Sequence, residues 1–93
     1  MPKMLQINVT GHDDYRDFDF AMAFTAVEIV NPEALYGNKT YVGIYKAEET
    51  QPWRTIDCRY VTDYNFTTLV EQVMKAHFGS NLRTITIKEV QEQ

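Results

Sequence analysis

The stretch Asp17–Val30, DFDFAMAFTAVEIV, decides the fold. Phe18, Phe20, Met22, Phe24 and Ala26 occupy every second position, the period of a β-strand with two unlike faces. Between them Asp19, Ala21, Ala23 and Thr25 make the opposite face small or polar. After Thr25 the large residues change parity, to Val27 and Ile29. That change predicts either a bulge or a second half buried on both faces. A run of this length would span roughly 40 Å if straight, about twice an ordinary strand, which predicts a bend and a central place in a sheet.

Working outward, Lys3–Val9 alternates, with Leu5, Ile7 and Val9 on one side, and reads as a first strand. Thr10–Asp14 reads as the turn that returns the chain antiparallel. Asn31-Pro32 stops the second strand, because proline has no ladder donor. Pro32–Tyr36 is expected to make one helical turn before Gly37-Asn38 reverses the chain again. Thr40–Lys46 is a third strand, with Val42 and Ile44 on one face and Tyr41, Gly43 and Tyr45 on the other. After the loop Ala47–Pro52, Trp53–Val61 is a fourth, with Ile56, Cys58 and Tyr60 together and Asp57 and Arg59 facing water.

The period then changes. Phe66, Leu69, Val70, Val73, Met74 and His77 follow the i, i+3, i+4, i+7 spacing of an amphipathic helix over Asn65–Phe78. Asp63 or Asn65 can cap its start, Thr68 with Glu71 offers a capping box, and Gly79 suits its end. Leu82–Val90 resumes the strand period through Ile85 and Ile87. The order β-β-β-β-α-β, without repeat or linker, predicts one α+β domain over residues 1–93. Its architecture is a two-layer sandwich, a mostly antiparallel five-stranded sheet with one main helix on one face. One helix covers one face only. The other face needs a partner, and a symmetric dimer is the commonest solution.

At 93 residues the core is thin, which favours oligomerisation. With 44% hydrophobic and 24% charged residues the composition is that of a globular chain. A net charge of −4, spread evenly, argues against nucleic-acid binding. Cys58 is the sole cysteine, so no internal disulfide forms. Nothing resembles a signal peptide or a membrane span, so the expected location is cytoplasmic, away from membranes.

Chemistry concentrates at His12, Asp13, Asp14, Asp17 and Asp19, where carboxylates beside an imidazole could hold a cation. The EF-hand spacing fails: counted from Asp13 the sixth residue is Phe18, and counted from Asp17 it is Met22. The plainer reading is a solvated hairpin loop that ends two strands. The acids at 13, 14, 17, 19, 48 and 49 could also mimic a phosphate backbone, although the charge is modest. Cys58, Ser80, His12 and His77 form no catalytic signature, and no phosphate-binding glycine pattern occurs. His77 lies in the last helical turn, where a protonated imidazole would complement the dipole. No cofactor is expected.

The resulting expectation is a small interaction or regulatory module that works through a sheet face, as a homodimer or with a protein partner. Tyr41, Tyr45 and Trp53 are its candidate contact residues. The alternatives are a metal- or ligand-dependent enzyme sited at the 12–19 loop and an acidic decoy for a nucleic-acid-binding protein.

Overall fold

Alternation in the first strand translates directly into burial: Leu5, Ile7 and Val9 are buried while Gln6, Asn8 and Thr10 are exposed. The computed structural model describes residues 4–31, 39–58 and 65–90. The elements are β1 (Met4–Asp13), β2 (Phe18–Asn31), β3 (Lys39–Lys46), β4 (Arg54–Asp57), α1 (Phe66–Phe78) and β5 (Leu82–Val90). A 3-10 turn, Gly79–Asn81, joins the helix to the last strand. The five strands form one sheet in the order β4-β3-β2-β1-β5, and every neighbouring pair is antiparallel. The fold is the α+β two-layer arrangement that the sequence predicts.

β4 and β5 therefore run in the same direction at opposite edges, and α1 carries the chain back between them. Its 13 residues span about 20 Å at 1.5 Å each, enough to cross a sheet of short strands. The Asn65 side chain accepts from Thr68 N–H at 3.0 Å and caps the start. Gly79 closes the end at φ 59, ψ −135, with its N–H donating to the Lys75 carbonyl. Only glycine visits that region readily. Phe66, Val70 and Met74 form the buried stripe, at i, i+4 and i+8, and Leu69 and Val73 flank it. They meet Leu5, Ile7, Val9, Phe24, Ala26, Val42 and Ile44 from the sheet. Each such side chain contributes about 1.5–3 kcal/mol.

In β2 the structure departs from both sequence expectations. Its register is unbroken against β1, from Met4↔Val27 to Asp13↔Phe18, and against β3, from Phe24↔Lys46 to Asn31↔Lys39. Neither a bulge nor two-sided burial follows the parity change. The alternation continues, so Val27 and Ile29 fall on the face opposite the helix, and Ile29 is 46% exposed. Glu28 takes the helix-side position, opposite Val42. The irregularity lies elsewhere, in the β1–β5 pairing between Thr10 and Gly11.

β1 also runs further than expected, through Gly11, His12 and Asp13, leaving only residues 14–17 as the loop. Gly11 serves close packing here: a Cβ would collide with the Asn81 carbonyl and the Phe20 ring. β4 is described over Arg54–Asp57, and the rest of the expected strand to Val61 lies largely outside the described residues. So do the expected helical turn at Pro32–Tyr36 and the Gly37-Asn38 turn. No helix among the described residues is long and apolar enough to cross a membrane.

Candidate functional site

Two surfaces gather the residues that the sequence marks out. The first is the open face of the sheet. At one end of it Val27 stands between Met4 and Gly43, and Ile29 stands opposite Tyr41. Tyr45, two residues beyond Gly43, lies across it: a Cβ on Gly43 would meet the Tyr45 ring at 3.0 Å. The ring covers a strand glycine that has no side chain of its own. Tyr41 and Tyr45 are therefore on one surface with Val27 and Ile29. Toward the hairpin the face turns small and polar, with Gln6, Asn8, Ala23, Thr25 and Ala47 around a depression of about 250 Å³.

Trp53 is not part of that surface. Its ring packs in the helix layer, 4.8 Å from Phe24 and 4.7 Å edge-on from His77. Arg54 lies over it, with Cζ 5.2 Å from the ring centroid, a cation–π contact internal to the fold. The Arg54 guanidinium donates to His77 Nδ1 at 3.0 Å. Burial, with Arg54 and Lys46 nearby, lowers the His77 imidazole below its ordinary value. His77 is thus an acceptor and an aromatic neighbour, not the protonated dipole partner expected from its place in the last turn.

The second surface is the β1–β2 hairpin tip. His12 and Asp19 are cross-strand partners, and His12 Nδ1 lies 2.8 Å from Asp19 Oδ1. His12 Nε2 lies 3.2 Å from Asp17 Oδ1, and Arg83 reaches Asp19 at 3.3 Å. The Asp19 hydrogen bond raises the His12 imidazole, with the Asp17 bond adding to it and partial burial opposing. The same bond, helped by Arg83, lowers the Asp19 carboxyl. Asp13 Oδ1 accepts from the N–H groups of Tyr15 and Arg16, both at 3.0 Å, an Asx-type closure of the turn. Asp17 follows in the left-handed region at φ 57, with its N–H on the Asp13 carbonyl at 2.7 Å. With its side-chain amide turned so that the nitrogen faces these acceptors, Asn81 donates to Asp14 Oδ2 and to the His12 carbonyl, each at 3.2 Å. The structure thus brings His12, Asp13, Asp14, Asp17 and Asp19 together as the bonds that shape the hairpin tip. Among the described residues no group of three or more His, Cys, Asp or Glu side chains is placed to hold a metal ion.

Beneath this tip lies a pocket of about 460 Å³ that sequence reasoning missed, lined by Asp13, Phe18, Phe20, Met22, His77, Phe78 and Asn81. It exists because the helix ends at Phe78 while the β1–β2 hairpin runs on past it. Phe20 and Phe78 stack at 5.2 Å on its wall, and Phe18 stays 45% exposed. The alternating aromatics of β2 were its only signal in the sequence. Cys58, by contrast, is buried, and burial raises its thiol, which suits an inert core position.

No family model matches the chain, and no solved structure matches it. Over 47 residues, 50% of its length, the chain is 40% identical to the AP-3 complex subunit mu of Eremothecium gossypii. The match spans 10% of that protein's length.

Proposed function

We propose that this chain is a protein-interaction module of the cytoplasm that self-associates and presents the open face of its sheet to a partner protein. One observation carries the reading: Ile29, 46% exposed, stands opposite Tyr41 on the face that α1 does not cover. Exposed aliphatic groups beside tyrosines are the composition of contact surfaces, since tyrosine offers large rigid area with a polar tip. The stretch shared with a protein named as a subunit of a complex supports the same reading.

Photo-crosslinking tests it. A benzoylphenylalanine replacing Ile29 should give adducts of higher mass, to a second protein or a second copy. The same group replacing Gln72, exposed on the outer side of α1, should give few. Equal yields at the two positions, or adducts only from position 72, would refute the open face as the contact surface.

The pocket of about 460 Å³ favours a second reading, a ligand-dependent activity under the hairpin tip. A ligand held there should raise the melting temperature in proportion to its excess over the dissociation constant, and Phe20→Ala should abolish the rise. A small aromatic library that leaves the melting temperature unmoved would count against it.

A further inference from the structure

The pocket beneath the hairpin tip, at about 460 Å³, is of a size that suits a small molecule of one or two rings. Its apolar lining is aromatic and soft, with Phe18, Phe20 and Phe78 beside the Met22 thioether. Phe20 and Phe78 already stack on each other, with 22° between their planes, whereas Phe18 stays 45% exposed. A flat ring in the pocket would cover Phe18. Ring and thioether groups also gain from aromatic contact beyond the area they bury.

The polar lining decides the charge of the occupant. The Asn81 amide nitrogen is committed to Asp14 and the His12 carbonyl, which leaves Asp13 and His77. The N–H groups of Tyr15 and Arg16 both go to Asp13 Oδ1, and among the described residues no hydrogen bond reaches Oδ2. A carboxylate accepts about four bonds, so Asp13 keeps capacity for a ligand donor. His77 accepts from Arg54 through Nδ1, and its lowered imidazole is neutral near pH 7, so it adds no positive charge. Asp13 is therefore the charged group of the lining, and it is negative. The faces of the phenylalanine rings favour a cation as well. A carboxylate or phosphate on a ligand would meet Asp13 with no cation in the lining to receive it.

We propose that this pocket binds an arylalkylamine, its flat ring seated against Phe18, Phe20 and Phe78 and its protonated amine on Asp13 Oδ2. This rests on the second reading above, a ligand site under the hairpin tip, and names the ligand class. The ring contacts supply affinity for aromatic molecules in general, and the Asp13 carboxylate selects among them by charge.

Ligand-observed NMR titration of the full chain with three probes is the test. Tryptamine, tryptophol and indole-3-acetate share one ring system and carry a positive, a neutral and a negative tail. Tryptamine should bind roughly tenfold or more tighter than tryptophol, with indole-3-acetate the weakest. Asp13→Asn keeps an oxygen that can close the turn. It should bring tryptamine down to the affinity of tryptophol while leaving tryptophol unchanged, which also shows that the variant is folded. The charge series on wild type decides the assignment even where the variant fails to fold. Equal affinity for the three probes, or a preference for indole-3-acetate, would overturn the amine and leave the ligand site standing. A tryptamine preference that survives Asp13→Asn is attraction to the net charge of −4 and would overturn the proposal too. Binding of none of the three would overturn both the amine and the site.

Discussion

The two faces of one sheet are built from the same five strands and meet opposite fates. On the helix side Ile7, Ala26, Val42, Ile44, Val70 and Met74 are 0% exposed. On the other side Ile29, of the same chemical type as Ile44, is 46% exposed. The difference lies not in the residues but in what covers them, since among the described residues a single helix reaches one face. What it teaches is that apolar character in this chain has two fates: one set of side chains makes the fold, and the other stays exposed on the face proposed above as the contact surface.

The comparison breaks most sharply under a charge. Val70→Asp puts a carboxylate in the middle of the core, where it finds no partner, and should leave the chain unfolded in circular dichroism. Gly11→Ala should cost about 1–3 kcal/mol in urea denaturation, because the Asn81 backbone and the Phe20 ring must both move. Asn65→Ala, which removes the helix cap, should cost about 1 kcal/mol in the same measurement.

The smallest expected effect concerns pH. His12 has a raised value in the folded state, so its contribution is fully present below the ordinary histidine value and is lost as pH rises through the folded one. His77 has a lowered value, so its effect is opposite: stability is present above the ordinary value and is lost as pH falls through the folded one. The two slopes oppose each other near neutrality. Thermal melts at about pH 6 and about pH 8 should therefore show His12→Gln gaining stability with pH and His77→Gln losing it. Identical slopes in the two variants would contradict the assigned shifts.

Much of this architecture was legible in the sequence because it is local. Leu5, Ile7 and Val9 alternate and are buried, Asn65 caps, Gly79 closes the helix, and Leu82–Val90 is the last strand as read. Local composition misled at Gly11-His12-Asp13, which looks like a turn and is strand, because the reason for Gly11 is a contact with Asn81, seventy positions away in sequence. The parity change after Thr25 was legible too, but its meaning was not. Whether Val27 and Ile29 are buried depends on which face α1 covers, which no window of β2 records. Of the candidate contact residues, Tyr41 and Tyr45 share the open face while Trp53 joins the helix layer, a split set by the chain reversal before β4. The hairpin-tip carboxylates were legible as turn-formers, whereas the pocket beneath them depends on where the helix stops.

The most direct test of the difference between the faces is a paired thermal denaturation of Ile44→Asp and Ile29→Asp. The first should be unfolded at all temperatures, because Ile44 has no access to water. The second should melt within a few degrees of wild type, about the span expected for a surface substitution of 0.5 kcal/mol or less. If Ile29→Asp unfolds the chain as Ile44→Asp does, the open face is part of the folding core and the account of it as a contact surface is wrong.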